Sequence, residues 1–521
     1  MRDFTIVFYA FLYAAGILAA RPRLTPFIAI DKTACIYYNM VTMSVKRMTD
    51  AALKTLTGIT LALALILTFT VSDYYIFNRI SFLDGENTFN VFFVISQWVK
   101  KAGYLLLPLA VFYNKRSCAD IAKYILPVFI VVSTATFGNF FDITMLTESA
   151  SPADKVYASI NEFIPKAANM ALFFTACATE LLACVLLFVR DGFKVSGKNF
   201  IYLPFAVIAV TPLNIFENFF DINDFSRNDF LWFKNFTLWH FLALAILIGF
   251  TVGSYYFLRK KDGAKQRDFL AAAAIVLLIQ YHSKDSMVMG DGYNVYNTVF
   301  ACIPLFICNI GVYIASFSVL LRKKLLYSIS FFVHAAGALT VFIYFGKDEM
   351  SNYGIFCSYS ILYFCLTHCI LFALSVLPSA LGHYKFKPKD CVIPLIYYCL
   401  VIILATVASG VISSASMNFE YDGYKLQEGE WLKPNYAFTQ INPLPIPFDY
   451  IPFKIWNCEF YLSYLIALYA VYVGLFWAFT GGYYAFIAIR RRILRGVRVS
   501  EPIPETVAEA VATEEENDGN E

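Results

Sequence analysis

The chain is poor in charge. Asp, Glu, Lys and Arg make up 15% of its 521 residues, where a soluble domain carries about a quarter. It has 12 cysteines but no Cys-x-x-Cys pair, and only five histidines. So little charge on so apolar a chain excludes disorder and a soluble enzyme. The missing Cys-x-x-Cys spacing removes the common zinc patterns, so neither a metal nor a cofactor is expected. A formal net charge of +3 offers no surface for nucleic acid. Apolar residues are abundant: 59% of the chain is hydrophobic, 18% is aromatic and the mean hydropathy is +0.60. This is the composition of a polytopic membrane protein whose partners are membrane lipids.

A helix needs about 20 apolar residues to cross the hydrocarbon core. Runs of that order fall near 3–20, 55–76, 91–113, 124–141, 167–189, 199–217 and 236–258, then near 266–281, 299–321, 325–345, 353–380, 391–413 and 455–487. The expected fold is all-α, a transmembrane bundle of about thirteen helices. Lys100 and Lys101 interrupt the third run. The first run reads as a retained helix rather than a signal peptide, since it lacks a strongly basic start.

Alternate loops differ in charge. One set holds 28 of the 41 basic residues, among them Lys115, Arg116 and Lys123, Arg259 to Lys261, Arg322 to Lys324, and Arg490 to Arg492. Lys and Arg collect on the cytoplasmic side. The expected topology therefore has the N-terminus outside and the C-terminus inside, in a plasma membrane. The segment 499–521 has eight acids and no Lys or Arg, and reads as a disordered tail. The longest outer loop, 414–454, is rich in aromatics and Pro and is expected at the membrane interface.

Two stretches read alike. Leu107-Pro108-Leu109, a basic loop and a run with Gly138 match Ile303-Pro304-Leu305, the Arg322 loop and a run with Gly337. This suggests residues 1–49 as an N-terminal helix and loop, two tandem six-helix blocks at 50–263 and 264–490, and a tail at 491–521. An even number of helices per block makes the repeat parallel.

Ionisable or nucleophilic side chains at membrane depth are costly and mark candidate sites. Cys308 lies about ten residues into its run, His368 about fifteen into its own, and His334 is also near mid-depth. A thiol reacts as its thiolate, and an imidazole can take the proton and return it to a leaving group. Such a pair suits acyl transfer, with the chain resting as a thioester. Cys308 and His368 are the candidate catalytic pair, and Gln280, His334 and Asn309 are candidate substrate-binding residues. Glu180, deep in the first half, is expected to pair with Lys100 or Lys101.

From about 299 to 487 the chain resembles the YwaF-like integral membrane proteins. The likeness rests on Ile303-Pro304-Leu305-Phe306-Ile307-Cys308, on Thr367-His368, on Asn435-Tyr436-Ala437-Phe438 and on Trp456 before the last helix. That family is distantly similar to eukaryotic transmembrane acyltransferases that remodel ether phospholipids. The resemblance implies Cys308 as acyl acceptor and His368 as general base. Phe306 departs from it, standing where relatives often have a polar residue. Two other readings stay open: a transporter of two parallel repeats, in which Glu180 and Gln280 face one cavity, and a non-catalytic membrane protein.

Overall fold

The computed structural model describes residues 32–67, 88–136, 151–159, 166–213, 232–290, 295, 298–343, 358–441 and 449–500. The run expected at 3–20, Gly138, the stretch Pro443–Pro447 and residues 501–521 lie outside the described residues. The chain divides into two units, Met1–Ala52 and Leu53–Glu521. The first is described only as the start of α1 (Lys32–Leu67). The second holds the rest of α1 and every later element.

The protein is an all-α, multi-pass membrane protein. Among the described residues eight helices are long and apolar enough to cross a membrane. In the first half lie α2 (Thr88–Lys101), α3 (Gly103–Val111), α4 (Arg116–Tyr124), α5 (Leu126–Ala135), α6 (Pro152–Ser159), α7 (Lys166–Asp191) and α8 (Leu203–Val210). In the second lie α9 (Leu238–Leu258), α10 (Gly263–Gly290), α11 (Ile307–Leu321), α12 (Lys324–Ile329), α13 (Ala335–Ile343), α14 (Tyr359–Ala380), α15 (Val392–Ser416) and α16 (Leu462–Ser500).

Three runs are cut differently from their hydropathy. The run at 91–113 breaks at Ala102, between α2 and α3. The run expected from 124 begins earlier, because α4 and α5 form one span, Arg116–Ala135. Lys123, expected in a loop, is buried within it at 1% exposure. Its charge is met by Asp120 at 3.2 Å and by the Gly192 carbonyl at 3.2 Å, so it need not reach water. The run at 299–321 is interrupted after a π turn, Thr298–Cys302, and α11 starts only at Ile307. Pro304 lacks an N–H and bars helical backbone at the residue before it.

The basic loops gather at one end of the bundle. Lys115 pairs with Asp268, Lys324 pairs with Asp390 at 2.7 Å, and the Tyr484 hydroxyl donates to the Phe386 carbonyl. At the opposite end, short hairpins β1–β2 (Glu420–Tyr421, Tyr424–Lys425) and β3–β4 (Pro452–Ile455, Cys458–Tyr461) fill the long loop. In lipid, helix association rests on packing and hydrogen bonds rather than on expulsion of water. Here it uses interlocked rings: Phe332 stacks on Phe386 and meets Phe476 edge-on, and Tyr398 meets Phe476 at 5.1 Å. Each such pair adds about 0.5–1.5 kcal/mol beyond burial.

The long loop does not simply lie on the interface. Its Tyr450 and Ile451, and Trp456 just beyond it, are exposed, as interfacial anchors are. Asn435–Phe438 instead folds into the protein, with Tyr436 and Ala437 fully buried. One face of α15 holds it. Ser409 Oγ accepts from the Tyr436 N–H at 3.2 Å, Ser413 Oγ from Gln440 Nε2 at 2.7 Å, and Ser416 Oγ from the Leu432 N–H at 2.9 Å. The spacing of four and then three residues keeps these hydroxyls on one helix face.

Helix α10 packs on α3 and α8 of the first half and on α11 and α14 of the second. Helix α9, expected with the first block, packs against α13 and α14.

Candidate functional site

Cys308 stands in the first turn of α11, not ten residues into a helix, and is half-buried. Thirteen residues separate it from Leu321, the end of α11 at the basic loops; twelve separate His368 from Ala380 on α14; ten separate His334 from Lys324 on the α12–α13 strand of helix. At 1.5 Å per residue the three lie about 20, 18 and 15 Å from that end, close to one level. Helices α11, α13 and α14 pack against one another. Cys308, His334 and His368 therefore share a layer.

The two imidazoles are held differently. His368 is 7% exposed, and its Nδ1 donates to the Phe364 carbonyl at 2.8 Å. A carbonyl only accepts, so Nδ1 carries the proton and Nε2 keeps its lone pair. The ring stacks on Phe364 at 4.2 Å and meets Phe342 edge-on at 6.1 Å. His334 is 1% exposed. Its Nε2 meets the Tyr397 hydroxyl at 3.1 Å, and its Nδ1 faces Gly311 on α11. Asn309 follows Cys308 and is half-buried.

Gln280 is placed elsewhere. Its Nε2 donates to the Ala209 and Thr211 carbonyls, both at 2.9 Å. These are carbonyls at the end of α8, whose continuation Pro212 prevents, so Gln280 serves as a cap from another helix. His282 meets the Tyr313 hydroxyl of α11 at 3.2 Å. His240 is satisfied at both nitrogens, by the Phe342 carbonyl and the Phe236 N–H.

In the first half, Lys100 and Glu180 are buried at 2% and 0% exposure and lie 3.8 Å apart, as expected. Lys100 also sits 5.0 Å from the Phe173 ring centroid. Glu180 presses against Gly103, where any side chain would collide with its carboxylate. Glu180 and Gln280 thus serve different partners. Among the described residues no group of His, Cys, Asp and Glu is arranged to hold a metal.

Several groups outside the spans titrate away from their usual range, His383 and Glu430 among them. Burial, together with Arg267 and Arg322, pushes the His383 imidazole down, so it is neutral at physiological pH. The Gln427 N–H, with the Tyr424 hydroxyl, holds the Glu430 carboxyl below the usual carboxylate range.

The fold is that of a polytopic α-helical membrane protein, with a half-buried cysteine and two buried histidines on neighbouring helices of its second half. Residues 235–479, just under half of the chain, match the TMEM164 family, a transmembrane family. The match begins at α9, the helix whose packing joins it to α13 and α14. No curated protein and no solved structure matches the chain. Cys308, His334 and His368 each had a signal in sequence, a nucleophilic or ionisable side chain within an apolar run. The serine face of α15 had one too, in the spacing of Ser409, Ser413 and Ser416, which hydropathy alone passes over.

Proposed function

We propose that the region 235–479 is a lipid acyltransferase or acyl hydrolase embedded in the membrane, with Cys308 as the acyl acceptor. One observation carries this reading: a half-buried thiol shares a level of the bundle with two buried imidazoles, His334 and His368. Away from water only a neighbouring side chain can take the thiol proton. The likeness to YwaF-like proteins, and through them to ether-phospholipid acyltransferases, agrees with this chemistry. Phe306, next to the reactive turn, meets Tyr436 and Phe438 edge-on at 5.8 and 6.1 Å. These rings cover the site from the hairpin end, so the substrate enters sideways from the bilayer. Asn309 and His334 line the approach to Cys308, and Gln280 supports the neighbouring helix. The basic end faces the cytoplasm of a cell with this protein in its plasma membrane.

The test is acyl capture. Full-length protein in lipid nanodiscs is incubated with p-nitrophenyl palmitate, and palmitate released by hydroxylamine is measured. Wild type and Cys302→Ser should carry it and Cys308→Ser should not. An unacylated wild type, or equal label on Cys308→Ser, removes the proposal.

A further inference from the structure

At the basic end of the bundle several elements bring cationic side chains to one place. Arg322 caps the end of α11, Arg267 lies in the second turn of α10, and His383 follows α14. Both guanidinium groups stand close enough to act on the His383 imidazole and on Tyr327 of α12. Arg322 also lies against Tyr113, just beyond α3. The His383 ring packs at the start of α10, with Cε1 4.0 Å from where Gly263 would carry a Cβ. The acids of this end are engaged elsewhere. Asp262 holds Lys265 at 2.9 Å, Asp268 holds Lys115, and Asp390 holds Lys324 at 2.7 Å. Among the described residues no carboxylate lies within ion-pair distance of Arg267 or Arg322.

Three details show groups held ready for a ligand. Arg267 uses only its Nε, on the Gly263 carbonyl at 2.8 Å, which leaves its Nη groups as donors. His383 Nε2 is shut off from solvent and makes no hydrogen bond. Arg322 is held at φ 55° and ψ 36°, the left-handed region that helix ends usually give to glycine. A side chain kept on such backbone points to a use for it. We infer that Arg267, Arg322 and His383 form an anion site for a phosphate group, carried by an acidic lipid of the adjoining leaflet or by a small phosphate in solution. Each guanidinium donates to phosphate oxygens, a geometry its planar fork fits. His383 donates from Nε2. Basic pockets between helices at a membrane surface hold such headgroups. Bound phosphate offsets the repulsion between the two cations and ties α10 to α11 and to the segment after α14. The site lies at the far end of α11 from Cys308 and does not depend on that thiol reacting.

The experiment measures the thermal midpoint of full-length protein in phosphatidylcholine nanodiscs. Either dioleoylphosphatidic acid is titrated into the discs, or inorganic phosphate is titrated into the buffer at matched ionic strength. A ligand of the folded state raises the midpoint with its concentration. Wild type should show a saturable rise. Arg322→Gly relieves the left-handed backbone and so keeps the fold, yet it should need about tenfold more ligand, the worth of one charge-assisted hydrogen bond. Arg267→Gln should do the same. The double variant Lys260→Gln, Lys261→Gln removes two exposed charges from the same end and should titrate as wild type. A rise with phosphatidic acid alone assigns the site to a lipid headgroup, and a rise with inorganic phosphate in neutral discs assigns it to a soluble phosphate. No rise with either ligand, or arginine variants that titrate like the lysine double variant, overturns the site.

Discussion

Gly311 and Gly103 are each the residue that lets an ionisable group approach a helix backbone. At Gly311 the neighbour is a ring fixed by Tyr397, which has no room to move. Gly311→Ala should therefore lower stability by about 1–3 kcal/mol, the usual cost of overpacking, read as a lower thermal midpoint in detergent. The Lys100–Glu180 pair behaves in the opposite way to a surface ion pair. Removing one partner strands a buried charge, at about 3–5 kcal/mol, whereas replacing both with apolar residues can cost little. Glu180→Gln should destabilise more than the double variant Lys100→Met, Glu180→Leu. A double variant worse than either single would remove that account. The pairing itself was legible in sequence, because a lone acid and two lysines in apolar runs have few other partners. The aim of His334 was not, since a ring's orientation depends on a π turn and on a glycine in another helix, neither of which has a local pattern.

At the scale of elements, hydropathy found the spans but misplaced several ends. It put Lys123 in a loop because it weighs each charge alone, and Asp120 three residues away cancels that cost within the helix. It ran α11 eight residues too far toward its start, although Pro304 was a visible stop. The loop 417–441 depends on a carboxylate as well as on serines. Glu430 Oε2 accepts from the Gln427 N–H at 2.8 Å and from the Tyr424 hydroxyl at 2.7 Å. Its folded pKa lies below its unfolded one, near 4.3, so its contribution is present above that value and lost as pH falls through the lower folded value. Amides of 424–432, corrected for intrinsic exchange, should stay protected at pH 7 and lose protection only as pH falls below the usual carboxylate range. Glu430→Gln should flatten that dependence. Ser413→Ala should speed exchange near Gln440 without altering the hairpin β3–β4.

For the whole molecule, the charge pattern of the loops predicted one basic face, and the contacts Lys115–Asp268 and Lys324–Asp390 bring those loops together. The division between blocks was harder to read. Repeats in sequence suggested a seam at 263, whereas α9 packs with the later helices and α10 packs with both halves. A seam is set by which faces meet, and apolar faces in lipid look alike in sequence. Gln280 spans this region through the Ala209 and Thr211 carbonyls. A chain starting at residue 235 should therefore express less stably than the full chain, with a lower thermal midpoint. Equal midpoints would show that α10 needs nothing from the first half.

The serine face of α15 grips mostly the main chain of the loop above it, through the amides of Leu432 and Tyr436. A clasp of that kind reads shape and not chemistry. Exchanges among the loop's outward residues should be neutral over evolutionary drift, while the hydroxyl ladder beneath, spread along a single helix, would be the part that cannot wander.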